Sequence, residues 1–396
     1  MKKTLSAILA FVIATFLLSS QNNYLTIQDG IRLPEDNVEK NRLLSDLNGF
    51  LTVIRDSKES SRYIFPDERA ETDILLEDIM GITKSEKHKN DLFFKPYLTN
   101  VVPLPDEGDY LIQLSYIGID NNIPVLRGSF VLVARKINNG FLFSSPLKMN
   151  TREWQSRKAG NYTFYYQKSI NENIIKEYVK VASDFDKKLE INKLTEIYCC
   201  ENVFEVMAFV GVQYKSDYNG ILNGSLTNFS DEDKAIIIDG VDNARFDNFD
   251  PHDLFHERVS IAIPEGKNHF MVCGAAYVYG GSWGISWTEI QKMFKSRMVY
   301  DKNTDWLKLY FDRYNFGESN REHLLVAQFI NALIIQKTEK DKGFSAVRKL
   351  LSSGNMMKDR KNFFTILNDV TGINEGNFNE NVSNLINEAM EKIARS

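Results

Sequence analysis

"DPHDLFHERV", residues 250–259, sets two histidines four apart, His252 and His256, in a chain of 396 residues that has only five. On a helix, residues four apart lie one turn apart on the same face. The spacing therefore predicts two imidazoles able to meet one metal ion, and zinc accepts such nitrogen ligands in tetrahedral sites. The bland alternative is a helix whose histidines cap or pair with carboxylates such as Asp250 and Glu257.

Hydrophobic residues make up 43% of the chain and charged residues 26%, ordinary for a globular protein. The length suits two domains better than one small core. The net charge is −5 without a basic block, which argues against nucleic acid as partner. Residues 1–20 are expected to be a signal peptide: Lys2 and Lys3, an apolar run from Leu5 to Leu18, then Ser19 and Ser20. An uncleaved anchor is the alternative, although the run is short for a span. No second spanning segment follows, so the mature chain is expected in the periplasm or outside the cell with no stable membrane span. Of three cysteines, Cys199 and Cys200 adjoin in "LTEIYCC", a strand pattern that points them to opposite faces. Two buried small side chains are the plain reading, with pairing of one to Cys273 left open.

Residues 24–147 read as an α+β domain of the cystatin-like or NTF2-like sort. Leu43, Leu44, Leu47, Phe50, Leu51 and Ile54 keep helical spacing behind a cap at Asp36 or Asn37. A second helix carries Ile74, Leu75, Ile79 and Met80 and stops at Gly81. "DYLIQLSYIGI" and "PVLRGSFVLVARKI" are strands, and Asn139-Gly140 is a hairpin turn. The polar tract "SSPLKMNTREWQSRKAGN" marks the boundary. A second domain, 155–396, opens with strands and helices in alternation and is wholly helical from Phe249 onward.

The downstream stretch "NHFMVCGAAYVYGGSWGISWTEIQKMFK", residues 268–295, narrows the reading. Together with 250–259 it resembles the peptidase-MA-like gluzincins, zincin-type zinc metallopeptidases of bacteria. In these an H-E-x-x-H helix precedes a helix with a pattern close to E-G-x-A-x-Y-x-G-G, and then an S-x-x-E-L helix start. In "CGAAYVYGG" Gly274, Ala276, Gly280 and Gly281 keep their places, and "SWTEIQKMF" matches the next helix. The likeness spans roughly residues 155–390 and implies a mixed sheet followed by helices. It implies zinc held by His252 and His256, with Cys273 where the family has its third-ligand glutamate and Asp253 where the family has its base glutamate. Thiolate is a sound zinc ligand, whereas Asp253 is one methylene short of the family's reach, and small misplacements of a base are costly. His269, one turn before Cys273, is an accessory ligand candidate. Tyr277 is a candidate oxyanion donor, with packing the plainer role. His323, Trp283 and Trp287 are cleft candidates whose ordinary reading is a solvated helix start and core packing. These features point to an exported protein with a weakened or inactive zinc peptidase domain or, alternatively, to a non-catalytic module that binds a peptide or protein.

Overall fold

The computed structural model describes residues 24–56, 61–105, 108–216, 225–230, 233–240, 243–318 and 323–395. The expected signal peptide lies outside these residues. The fold is α+β, built from two sheets and a helical layer.

The chain opens with β1 (Thr26–Ile27), α1 (Asn37–Arg55) and α2 (Arg69–Ile79). Asp36 caps α1 by accepting from the Glu39 amide at 2.8 Å, and α1 buries Leu43, Leu47, Phe50, Leu51 and Ile54. Beyond α2, Gly81 takes a left-handed φ of 74°. Then come β2 (Lys95–Pro103), β3 (Tyr110–Asp120), β4 (Ile123–Ile137) and β5 (Gly140–Ser144), antiparallel neighbours in sequence order. Ile137 pairs with Gly140 across the β4–β5 hairpin, so the turn residues are Asn138 and Asn139, one position before the Asn139-Gly140 pair that the dipeptide predicts.

A short α3 (Leu147–Asn150) and β6 (Gln155–Ala159) occupy the stretch that reads as irregular in the sequence. β6 is a largely exposed edge strand of sequence QSRKA, so it shows no apolar alternation to read. Next come β7 (Tyr162–Tyr166), α4 (Glu172–Leu189), β8 (Leu194–Cys199), α5 (Val203–Val210), β9 (Val212–Lys215), β10 (Ser225–Ser230) and β11 (Lys234–Asp239). The second sheet runs β10-β11-β8-β7-β6, with β7, β8 and β11 parallel and antiparallel strands at both edges. β9 does not join it. It pairs instead with β4 of the first sheet, Ser129 opposite Tyr214, on the edge β4 also offers to β5. Chain from beyond residue 155 thus completes the N-terminal sheet.

The second sheet is covered on both faces. Along β8 and β11, Ile197, Cys199, Ala235 and Ile237 face the helical layer, whereas Tyr198, Ile236 and Ile238 face the N-terminal core. That is why β11 reads as an unbroken apolar run. Cys199 and Cys200 are split between the two cores, and all three cysteines are free. Glu71 of α2, 1% exposed, is held by Lys234 of β11 at 2.7 Å and by Lys148 of α3 at 3.2 Å. This joins the N-terminal helices to the second sheet.

From Pro251 on, the chain folds into helices: α6 (Pro251–Ala262), α7 (His269–Gly280), α8 (Trp287–Arg297), α9 (Trp306–Phe311), α10 (Val326–Lys342), α11 (Phe344–Leu351), α12 (Arg360–Thr371) and α13 (Phe378–Arg395). α10 is buried nearly all round, with Phe329, Ile330, Asn331 and Ile335 each at most 1% exposed. Such a helix belongs at the centre of a bundle, and α7 packs along it. Among the described residues, no helix is long and apolar enough to cross a membrane.

Candidate metal centre

Asp250 caps α6 by accepting from the His252 amide at 2.8 Å, with Pro251 in the first turn. Its inner face buries Leu254, Phe255, Arg258, Val259 and Ile261. Arg258 is fully buried and forks onto Asp186 of α4, Nε to Oδ1 at 2.6 Å and Nη2 to Oδ2 at 2.9 Å. Its Nη1 donates to Thr195 of β8 at 3.2 Å, and the Tyr162 hydroxyl donates to Asp186 at 2.5 Å. The clamp fixes α6 to helix α4 and strand β8, two residues beyond His256.

α7 meets α6 at close range because its contact positions are small. A β-carbon on Gly280 would stand 2.4 Å from the His252 backbone nitrogen. One on Gly274 would stand 2.4 Å from Asn331 Cβ on α10. The glycines of "CGAAYVYGG" thus let α7 pack tightly between α6 and α10. Ser286 and Glu289 then form a reciprocal capping box that starts α8.

This packing gathers metal-capable atoms. Ligand atoms of His256, His269 and Cys273 all lie within 4.8 Å of one another. Cys273 Sγ is 3.5 Å from His269 Nε2, close to the separation of two ligands on one tetrahedral zinc ion. The trio grades from the buried thiol of Cys273 through half-buried His256 to exposed His269. The donors are two imidazoles and a thiol, a set that suits zinc. His252 borders the trio, its ring centroid 4.9 Å from that of His256, but it is not one of the three. Its Nδ1 lies 2.6 Å from the Gly281 carbonyl oxygen. A carbonyl only accepts, so Nδ1 carries the hydrogen and Nε2 of the neutral ring keeps its lone pair. Tyr277 is fully buried and donates to Gln328 Oε1 at 2.5 Å, and so ties α7 to α10.

Burial governs the electrostatics. It pushes the His256 pKa from 6.5 down to about 3, helped by His252 and His269. It lowers His269 as well, with Arg313 and Lys267 assisting. The Cys273 thiol is pushed up to about 12 by burial, against the opposing pull of Gln328 and Arg313. Both imidazoles are therefore neutral lone-pair donors at neutral pH, whereas the thiol must shed a proton to act as thiolate. Asp253 stands at the mouth of the site, its carboxyl raised by the protein around it and by Asp250 and lowered by His252.

A cleft of about 650 Å³ opens beside His252 and Asp253. Trp283 and His323 line it with their ring centroids 6.4 Å apart, whereas Trp287 packs against Phe329. Arg313, Asn315 and Gln328 also line it. Sequence reasoning missed these three, because no spacing links the segment 313–328 to the histidine motif. No protein-family model matches the chain, and no curated protein matches it either.

Proposed function

We propose that the protein is an exported, zincin-like zinc-binding protein whose cleft binds a peptide segment and in which peptide hydrolysis is weakened or lost. The N-terminal helices and sheet would form a cystatin-like or NTF2-like platform, and the second half would be the peptidase-MA-like unit. The observation that carries the reading is the convergence of His256, His269 and Cys273, whose ligand atoms lie within 4.8 Å of one another. His256 and Cys273 belong to the motif positions, and His269 adds a third donor one turn from Cys273. A zinc ion in such a site supplies Lewis acidity toward a carbonyl oxygen or a water.

Three features support weakened hydrolysis. Asp253 is one methylene shorter than glutamate, and a misplacement of about 1 Å in a base costs about a hundredfold in rate. A thiolate gives more charge to a metal than a carboxylate does, which blunts Lewis acidity. His252, its ring centroid 4.9 Å from that of His256, is a candidate fourth donor, and a closed four-ligand set is structural in character. The second reading, a working peptidase, rests on Asp253 and His252 lining the same cleft, with the Asp253 carboxyl raised toward the range of a useful base.

Elemental analysis of the purified full chain, paired with a peptide-library cleavage assay, separates these readings. One zinc per chain without chelator-sensitive cleavage is the expected result. Chelator-sensitive cleavage that disappears in Asp253→Asn would establish the enzyme instead. Failure to take up zinc would remove the basis of both.

A further inference from the structure

The cleft that Asp253 lines also carries a cation, Arg313, that neither the histidine motif nor the metal trio uses. Arg313 lies between α9 and α10 with a left-handed φ of 53°, a conformation that bulky L-residues rarely adopt. Trp283, 59% exposed on the same cleft, has a φ of 56°. Strained residues of this kind persist where the surroundings over-determine them, and they cluster at ligand sites.

The surroundings do over-determine Arg313. Tyr314 O accepts from the Val326 amide at 2.8 Å, and the Phe316 amide donates to Leu324 O at 2.8 Å. Asn315 Oδ1 accepts from the amides of Gly317 and Leu324, both at 2.9 Å. These bonds pin the segment after Arg313 to the start of α10. The guanidinium carbon stands 5.8 Å from the centre of the Phe270 ring, on the first turn of α7. Among the described residues no carboxylate pairs with it, although Asp250 and Asp253 line the same cleft. Its charge is nonetheless felt at both His269 and Cys273. Arg313 is thus a cation on the cleft with no carboxylate partner among the described residues.

We propose that Arg313 is the anchor for a carboxylate of the bound peptide, seated so that the adjoining peptide unit lies along His252 and Asp253. The guanidinium fork matches a carboxylate in two parallel hydrogen bonds, and the held backbone places the residue at the cleft. The negative wall of Asp250 and Asp253 repels the same carboxylate, which fixes the direction in which the peptide lies. The inference rests on the peptide-binding reading above and adds a specificity residue to it. The carboxylate comes either from a chain terminus or from an aspartate or glutamate side chain.

Titration calorimetry on the zinc-loaded full chain tests this. The probes are an acetylated tetra-alanine with a free C-terminus, the same peptide amidated, and an amidated peptide carrying one glutamate. At least one carboxylate peptide should bind about tenfold or more tighter than the neutral amide, and which one does so identifies the source. Arg313→Gln should abolish the preference, and so should Arg313→Asn, a residue better suited to left-handed backbone. Arg313→Lys should keep only part of it. Equal binding of acid and amide, or variants that keep the full preference, would overturn the anchor. If no peptide binds, acetylglycine decides through quenching of the cleft tryptophan. Quenching in the wild type but not in Arg313→Gln keeps the anchor while the peptide reading falls; no quenching in either overturns the anchor.

Discussion

Replacing Asp186 by asparagine removes the charge that balances a fully buried guanidinium. Asp186 accepts three hydrogen bonds, two from Arg258 at 2.6 and 2.9 Å and one from Tyr162 at 2.5 Å. Asparagine would keep one acceptor oxygen and turn an amide toward donors, leaving Arg258 buried without a counter-charge. Breaking one side of a buried pair costs about 3–5 kcal/mol, a large share of the roughly 5–15 kcal/mol that holds a protein folded. Arg258 sits two residues past His256 on α6, so zinc affinity should fall along with stability. Urea unfolding followed by circular dichroism should show a lower midpoint at an unchanged slope. The double substitution Asp186→Leu with Arg258→Met should recover most of the loss, because a well-packed apolar pair replaces a buried ion pair at little cost. A single variant that loses less than about 1 kcal/mol, or a double variant no better than the single, would refute the clamp.

The remaining predictions concern the α6–α7 contact and its titration. Folded His256 is held neutral to about pH 3, whereas the unfolded chain protonates it near its ordinary 6.5. The unfolded state then binds more protons across that window, so stability of the chelator-treated protein falls as pH drops, by about 1.4 kcal/mol per pH unit from this residue. Urea midpoints measured from pH 7 to 4 should show the slope, and His256→Gln should flatten it. Gly280→Ala puts a β-carbon 2.4 Å from the His252 nitrogen and 2.5 Å from the Pro251 carbonyl carbon, both backbone atoms with little freedom to move. It should cost about 1–3 kcal/mol or more and weaken zinc uptake, whereas an unchanged melting temperature and zinc affinity would show that the helices are not in such close contact.

Local patterns carry much of the fold. Helix α1, the β4–β5 hairpin and the helical run after Phe249 announce themselves through spacing, caps and turn residues, although the hairpin turns at Asn138-Asn139, one residue before the Asn-Gly pair. The opposite-facing pair Cys199 and Cys200 follows from strand alternation alone. β6 is not legible, because an exposed polar edge strand has no alternation to show. Nor is the pairing of β9 with β4, since four residues give no periodic signal and their partner lies some eighty positions earlier. At the site, His252–His256 and His269–Cys273 are both four-residue spacings that can be read directly. Their meeting depends on the antiparallel packing of α6 on α7, which the glycines permit but do not by themselves announce. Arg313 leaves no trace in the sequence, because its place is set by left-handed backbone and by contacts with α7 and α10.

The metal content of the full chain bears most directly on the central claim. After equilibration with zinc and removal of the excess, the wild type should retain one equivalent, and His256→Ala and Cys273→Ala should each lose it or bind far more weakly. With cobalt in place of zinc, a thiolate-to-metal absorption band should appear in the wild type and vanish in Cys273→Ser. A wild type that retains no metal, or a Cys273→Ala variant that holds it as tightly as the wild type, would contradict the account.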